Sequence, residues 1–165
     1  MTPSGTTPER TPDASPEDIA DPARLAAQVA ELADLEQLRQ LKARYFRAVD
    51  TKDWDLLAQV LAPDAVLEVA GGRREGRDEI LSVMSTRLAP LVTVHHGHMP
   101  ELELTGPHTA TGVWAMDDLL VGPVEPGGPS LRRQGYGHYH ERYVRLDGGW
   151  RIAHLRLVRI EVPDA

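Results

Sequence analysis

The sequence predicts an α+β fold, in which helices pack against one face of an antiparallel sheet. Three observations indicate this class. Apolar residues recur every three or four positions in the first half of the chain, the helical period ends at Pro90, and strand patterns separated by short turns follow it. Helices followed by a run of strands are typical of an α+β domain.

Composition and charge limit the possible functions. With 165 residues, 41% hydrophobic and 26% charged, the chain has the size and composition of one globular domain. Its formal net charge is −7 and it has no run of Lys or Arg, which argues against nucleic acid or an anionic membrane as a partner. It has no cysteine, and therefore no disulfide or thiol nucleophile.

The first 22 residues differ from the rest in composition. They contain five prolines together with Thr, Ser and acidic residues, and they lack the apolar run of a signal peptide. Such a segment buries too little apolar surface to offset the entropy lost on ordering. We expect residues 1–22 to be a disordered, uncleaved leader, residues 23–165 to form the folded domain, and the protein to be cytoplasmic.

Three helices are predicted in the first half of the domain. Residues 23 to about 51 form one long amphipathic helix or two consecutive ones, and a core is expected to pack on the apolar stripe Leu25, Val29, Leu32, Leu35, Leu38, Leu41, Tyr45 and Val49. Asp53 caps a second helix, which Pro63 ends. A strand at 65–70 precedes a third helix over 78–88.

Strands follow Pro90, and the first carries three histidines. The predicted strands are 91–99, 100–105, 109–120, 133–145 and 150–161. Histidine titrates near neutral pH, so it can exchange protons or bind a metal. Because side chains alternate along a strand, His95 faces one side of the sheet, while His96 and His98 face the other.

Two His-x-His pairs raise a metal site as one alternative. His96 pairs with His98, and His138 pairs with His140, because residues i and i+2 of a strand share a face. Four imidazoles brought together could bind a divalent metal.

Four stretches resemble the SnoaL-like branch of the nuclear-transport-factor-like superfamily. They are LEQLRQLKARYFRAVDTKDWDLLAQVLAPDAVLEVAGG, VTVHHGHMPELEL, TATGVWAMDDLL and GYGHYHERYVRLDGGWRIAHLRLVRI, within residues 34–161. The resemblance implies a cone-shaped α+β barrel, in which a strongly curved, mostly antiparallel sheet wraps around the N-terminal helices and a pocket opens at one end. Within this group the chain is similar to bile-acid 7α-dehydratase and, more distantly, to scytalone dehydratase.

The resemblance also implies catalytic residues. The tyrosine, histidine and aspartate of the dehydratase match Tyr45, His95 and Asp118. His95 would take the α-proton of a β-hydroxy carbonyl compound, and Asp118 would hydrogen-bond to the second ring nitrogen of His95. Tyr45 would donate to the developing enolate oxygen or to the departing hydroxyl.

Further matched positions are expected to bind substrate. They are Asp50, Trp54, Val69, Trp114, Met116, Tyr139 and Arg159. The sequence departs from the dehydratase at Val69, where the relative has a tyrosine, and in the loop VGPVEPGGPSLRRQ. These departures concern the pocket wall more than the proton-transfer residues.

The predicted function is that of a lyase with no cofactor and no metal. It would be a dehydratase that acts on a hydrophobic polycyclic, polyketide or steroid-like hydroxy-ketone. A polyketide cyclase or a ketosteroid-type isomerase is an alternative, because both reactions also begin with proton removal beside a carbonyl. A non-catalytic small-molecule binding module is another, because a fold does not determine a function. We expect a homo-oligomer, either a dimer or a trimer.

Overall fold

A computed structural model describes residues 21–122 and 131–160. Its helices are α1 (Pro22–Thr51), α2 (Trp54–Val60) and α3 (Arg77–Leu88). Its strands are β1 (Leu61–Val69), β2 (Gly72–Glu75), β3 (Val92–Gly106), β4 (Thr109–Gly122), β5 (Leu131–Leu146) and β6 (Gly149–Ile160). The chain divides into two compact units after Ala33, and the sheet, the core and the cavity described below belong to the unit beginning at Asp34.

The six strands form one curved sheet that does not close on itself. Its order is β2-β1-β6-β5-β4-β3, so β2 and β3 are the two edges. Strands β1 and β6 are parallel, and every other neighbouring pair is antiparallel. This arrangement confirms the α+β class, the curvature and the mostly antiparallel pairing, and it shows that the barrel is open.

Helix α1 is continuous, but only its second part is buried. The Asp21 carboxylate caps its first turn by accepting the Ala23 N–H at 3.0 Å. The stripe is buried at Leu38, Leu41, Tyr45 and Val49. The expectation of a core on the first part was wrong, because more than half of each side chain is exposed at Leu25, Val29 and Leu32. Apolar periodicity predicts a helix without determining what covers its face.

Two details of the sheet differ from the sequence prediction. The segments 91–99 and 100–105 form one strand, β3, in which the pairing is irregular between Gly97 and Pro100. Proline, which has no backbone N–H, is tolerated there because β3 is an edge strand and one side of it has no neighbouring strand to receive a hydrogen bond. The charged strand β2, Gly-Arg-Arg-Glu, is too short to show alternation and was not predicted. The predicted cap of α2 is confirmed, with the Leu56 N–H 2.9 Å from an Asp53 oxygen.

A buried ion pair links α1 to the sheet. The Lys42 ammonium donates to the Glu141 carboxylate, and both side chains are completely buried. The second Glu141 oxygen accepts the Tyr143 hydroxyl at 2.5 Å, and the Tyr143 oxygen accepts the indole N–H of Trp114 at 2.8 Å. Every charged group in this network therefore has a partner, which is the condition under which a buried ion pair is tolerated.

Three aromatic rings surround the Lys42 ammonium. Its nitrogen lies 3.7 Å from the ring centroid of Tyr139, 4.4 Å from that of Tyr45 and 4.6 Å from that of Phe46. Cations are attracted to aromatic faces, most strongly where both are shielded from water. Burial lowers the pKa of Lys42, and the neighbouring Glu141 acts in the opposite direction. Lys42 therefore orders the aromatic rings as well as the ion pair.

We expect Lys42→Met to destabilise the protein by about 3–5 kcal/mol, because it leaves the Glu141 carboxylate buried without its cation. The double variant Lys42→Met/Glu141→Gln should recover part of this loss, because no buried charge remains. Urea denaturation followed by circular dichroism measures both. The control is Arg39→Met, which removes the exposed pair with Glu36 at 3.7 Å and should cost less than about 1 kcal/mol. Equal losses for Lys42→Met and Arg39→Met would contradict this account.

Candidate active site

An apolar cavity of about 310 Å³ lies between the helices and the inner face of the sheet. Most of its wall is aliphatic, from Leu67, Val69, Val83, Met84, Leu88, Leu91, Leu120 and Leu157. Four polar groups that could act in catalysis also line it: Tyr45, His95, Asp118 and Tyr139. A mainly apolar cavity with a few convergent polar groups is typical of small-molecule sites.

His95 is held by a carboxylate from helix α1. Its ring Nδ1 lies 2.6 Å from Asp50 Oδ1, and its backbone N–H donates to Asp50 Oδ2 at 2.8 Å. The Thr93 hydroxyl donates to the same carboxylate at 3.0 Å. Because a carboxylate accepts hydrogen bonds, Nδ1 carries the proton in neutral His95, and Nε2 is left as the acceptor. The ring also stacks on Phe46, with centroids 6.3 Å apart.

Hydrogen bonding keeps Asp50 ionised. Burial acts to raise the pKa of Asp50, but hydrogen bonds from the His95 ring, the His95 backbone and Thr93 act against burial, and the net shift is downward. Asp50 is thus a carboxylate at neutral pH. An ionised carboxylate on Nδ1 orients an imidazole and stabilises its protonated form.

Asp118 has a different partner from the one expected. It lies directly across from His95 in the pairing of β3 with β4, and the sequence prediction joined the two by a hydrogen bond. Instead, Arg159 of β6 donates two hydrogen bonds to the Asp118 carboxylate, at 2.8 and 2.6 Å. A guanidinium is permanently charged and its fork matches a carboxylate, so it is a stronger partner than a neutral imidazole. The contact with His95 that was expected of Asp118 is made by Asp50, which the sequence analysis had assigned to substrate binding.

Two phenols complete the polar wall. The rings of Tyr45 and Tyr139 meet edge to face at 6.3 Å, and both are buried. Burial, followed by the negative charges of Glu141, Asp50 and Asp118, raises the pKa of Tyr45, so its hydroxyl is protonated at neutral pH. Neither hydroxyl bonds to another residue in the described part of the chain. Both can therefore donate to a molecule in the cavity.

Residues 30–156 match the SnoaL-like domain family. The chain belongs to this family. It is similar in structure to a type 2 hexachlorocyclohexane dehydrochlorinase (LinA), with 25% identity and a TM-score of 0.72 over 84% of this chain and 93% of that one.

Two further solved structures have the same fold. One is provisionally named a scytalone dehydratase, from Novosphingobium aromaticivorans, with 15% identity and a TM-score of 0.72 over 81% of this chain and 89% of that one. The other is an NTF2-like protein from Novosphingobium aromaticivorans, with 21% identity and a TM-score of 0.67 over 87% and 92%. The sequence-based family assignment is thus confirmed. The similarity to bile-acid 7α-dehydratase stays a prediction.

Some of the residues predicted to bind substrate line the cavity, and others do not. Val69, Tyr139 and Arg159 line it, together with the three predicted catalytic residues. The other four expected residues do not: Asp50, Trp54, Trp114 and Met116. Asp50 lies behind His95, Trp54 packs on the core, Trp114 bonds to Tyr143, and Met116 is buried, with its sulfur 4.0 Å from Arg159.

His96 and His98 lie on the other face of the sheet, as strand alternation predicts. Both are exposed, and they contact opposite oxygens of Asp117, at 3.1 and 3.0 Å. Across residues 21–122 and 131–160, no group of three or more His, Asp or Glu side chains is arranged to hold a metal ion. The structure therefore does not bring together the four imidazoles of the alternative hypothesis, which also needed His138 and His140.

Lys42 and Phe46 were not identified from the sequence, although a signal was present. Lys42 occupies a position of the apolar stripe, between Leu38 and Tyr45, where helical spacing turns its side chain toward the core. A lysine at such a position predicts a buried anion as its partner. Phe46 was missed because one apolar residue next to another on a helix carries no distinguishing pattern.

We expect Asp50→Asn to lower the free energy of unfolding by about 1–3 kcal/mol at pH 7, because charge-assisted hydrogen bonds are lost. In the unfolded chain an aspartate titrates near pH 3.9. The pKa of Asp50 is lower in the folded protein, so its contribution is complete above about pH 4 and is lost as the pH falls further. The difference in the free energy of unfolding between the two proteins should therefore shrink as the pH falls below about 4, as measured by urea denaturation.

The control for this pH dependence is Asp64→Asn, which changes an exposed carboxylate in β1. Its free energy of unfolding should stay within about 0.5 kcal/mol of that of the parent protein. A difference between parent and Asp50→Asn that stays constant as the pH falls below about 4 would show that Asp50 is not an ionised hydrogen-bond acceptor.

We expect the Nδ1–H tautomer of neutral His95 to dominate, because Asp50 accepts that proton. Nitrogen-15 chemical shifts of the ring at neutral to alkaline pH measure the tautomer. Asp50→Leu should shift His95 toward the Nε2–H form, whereas Asp117→Leu, which removes the partner of His96 and His98, should leave it unchanged. Nε2–H as the main form of the parent protein would exclude the proposed orientation.

Proposed function

We propose that the protein is a cofactor-independent lyase, a dehydratase that removes water from a small hydrophobic hydroxy-ketone. The observation that carries the proposal is the Asp50–His95 pair in the wall of an apolar cavity. With Nδ1 occupied by the carboxylate, His95 offers Nε2 as a base toward that cavity. A base with an oriented ring and a stabilised protonated form is what proton removal beside a carbonyl requires.

The reaction begins at His95. Nε2 accepts the α-proton, the C–H electron pair moves toward the carbonyl, and an enolate forms. The imidazolium that results is stabilised by the ionised Asp50 carboxylate, at 2.6 Å from Nδ1. In a mainly apolar cavity this attraction is stronger than in bulk solvent. His95 is thus the general base and Asp50 is its positioning residue.

We assign Tyr45 the role of donating a hydrogen bond to the developing negative charge of the enolate oxygen. Its pKa is raised, so it enters the reaction as a neutral donor. When the enolate collapses, the bond between the β-carbon and its hydroxyl breaks, and that oxygen leaves as water. The proton it needs comes from the imidazolium of His95, either directly or through Tyr45, which then recovers its own proton from that imidazolium, so both residues return to their neutral forms. A donor aimed at developing charge contributes about 3–4 kcal/mol in comparable sites.

We assign Asp118 to positioning the substrate, and not to orienting the His95 ring. Its carboxylate is buried, lines the cavity and is held by two hydrogen bonds from Arg159. A carboxylate fixed in this way can accept a hydrogen bond from a substrate hydroxyl. The charge of Arg159 compensates that of Asp118, so the pair adds orientation without adding net charge near the enolate.

The family and its neighbours support a lyase. The dehydrochlorinase and the provisional scytalone dehydratase both carry names that denote an elimination. The cavity volume of about 310 Å³ suits a small polycyclic molecule. A polyketide or steroid-like skeleton, as the sequence predicts, stays part of the proposal.

Isomerisation and cyclisation share the first step, and product mass separates them from dehydration. Loss of one water from a hydroxy-ketone indicates a dehydratase, and an unchanged mass indicates an isomerase. Cyclisation is recognised from the product structure. If a screen of hydroxy-ketones finds molecules that bind but none that react, the function would be that of a binding module, since the SnoaL-like family binds small molecules.

Three wider predictions are separate from this chemistry. None of the described helices has a stretch long and apolar enough to cross a membrane. Assembly into a dimer or trimer, a cytoplasmic location and the absence of a nucleic acid partner stay proposals from the sequence.

We expect His95→Gln to lower kcat/KM about 10²–10⁴-fold on a hydroxy-ketone found by mass-spectrometric screening for loss of water, because the general base is removed. Tyr45→Phe should lower kcat about 10²–10³-fold. The matched control is His98→Gln, which changes an exposed histidine of the same strand and should retain full activity. Thermal melting of each variant confirms folding. Full activity of folded His95→Gln would rule out the proposal.

A further inference from the structure

The charges that line the cavity are strongly unbalanced. Its charged residues in the described chain are one aspartate, Asp118, and four arginines, Arg74, Arg87, Arg133 and Arg159. The whole chain has a formal net charge of −7. A cation-rich mouth on an acidic protein creates a local potential that attracts anions and that the net charge would not predict.

Two of the four arginines are already neutralised. Both terminal nitrogens of Arg159 donate hydrogen bonds to the Asp118 carboxylate. Arg74 lies 3.6 Å from Glu79 and donates to the Gly71 carbonyl at 3.2 Å. Arg159 and Arg74 are thus each paired with a carboxylate of the protein, so neither is the main candidate to bind an anionic group of a ligand.

Arg87 and Arg133 have no such partner. Neither makes an ion pair or a hydrogen bond to another residue within the described ranges, and both are exposed. Arg87 lies in the last turn of α3, and Arg133 lies in β5 opposite Leu120, which is itself part of the cavity wall. Apolar walls deeper in the cavity and free guanidinium groups at its mouth match a molecule that is hydrophobic at one end and anionic at the other.

The turn between β1 and β2 gives Arg87 its position. A Cβ placed on Gly71 would lie 2.3 Å from an Arg87 terminal nitrogen, so the guanidinium rests directly against the backbone of this turn. A side chain at residue 71 would displace the guanidinium from this place. Gly71 therefore leaves room for the Arg87 guanidinium beside the cavity, and Arg87 stays exposed to solvent.

We propose that Arg87 and Arg133 bind an anionic group, a carboxylate or a phosphate, at one end of the hydrophobic substrate. The proposal rests on the proposed function in so far as it describes the substrate of the same cavity. Guanidinium forks bind both anions through paired hydrogen bonds. The ring system would occupy the apolar part near His95, and the anion would stay at the partly hydrated mouth.

Isothermal titration calorimetry with three matched probes tests the proposal. They are naphthylacetate, naphthyl phosphate and the neutral naphthylacetamide, which share an apolar ring system and differ in charge. We expect at least one anion to bind the parent protein about tenfold more tightly than the amide, which corresponds to about 1.4 kcal/mol. Raising the salt concentration from about 50 to 500 mM should weaken only the anions.

Variants assign the preference to the mouth. Arg87→Gln and Arg133→Gln should each reduce it, and the double variant should bring the affinities for anion and amide within about twofold of each other. Arg47→Gln, which changes an exposed arginine of α1 outside the cavity wall, should keep the parent values. The preferred anion in the parent protein distinguishes a carboxylate from a phosphate substrate.

The outcomes separate this proposal from the proposed function. His95→Gln should retain the anion preference, because the base does not contact the anion, so a preference without turnover would support the binding site alone. Equal affinity for the amide and both anions would overturn the proposal, as would no measurable binding of any probe or a preference unchanged in the double variant. Each of these results stands whatever the dehydration experiments show.

Discussion

The buried ion pair between Lys42 and Glu141 is the constraint on which the site depends. A charge removed from water requires a closely fitted partner, so the pair allows α1 only a narrow range of positions against β5. The same helix carries Tyr45 one turn further on and Asp50 near its end. Because the Lys42 ammonium also lies 4.4 Å from the Tyr45 ring centroid, the ion pair, the phenol and the carboxylate behind His95 are positioned together. Stability and function thus share one element.

The two carboxylates near the cavity are kept distinct by their partners. Asp50 faces an imidazole, a backbone N–H and a hydroxyl, whereas Asp118 faces a guanidinium. Two unpaired carboxylates in so small a volume would disfavour each other's ionisation. Donors from different elements satisfy each carboxylate separately. One is then available to stabilise a protonated base, and the other to hold a hydroxyl.

The sequence was informative wherever one rule acts along one element. Strand alternation separated His95 from the two histidines that follow it, and helical spacing located α1. The sequence could not identify the partner of His95, because Asp50 and Asp118 both reach this region and only the packing of α1 against β3 decides between them. Helical spacing does place Lys42 on the buried stripe, but only the packing identifies its partner Glu141, which comes from a strand about a hundred residues later. Periodicity also predicted a covered face on the first turns of α1, where the apolar stripe is exposed.

In the proposed mechanism, the cavity separates the charge that recognises a ligand from the charge that acts on it. At the end where the reaction is proposed, the groups are a neutral phenol, an oriented imidazole and a compensated Asp118–Arg159 pair, none of which would add a free cation beside an enolate. The uncompensated cations, Arg87 and Arg133, are at the mouth. Binding energy from a part of the substrate that does not react can then hold the α-carbon near Nε2 of His95. Contacts at the mouth that are equal in the ground and transition states would govern KM, while the imidazole and the carboxylate behind it would govern kcat.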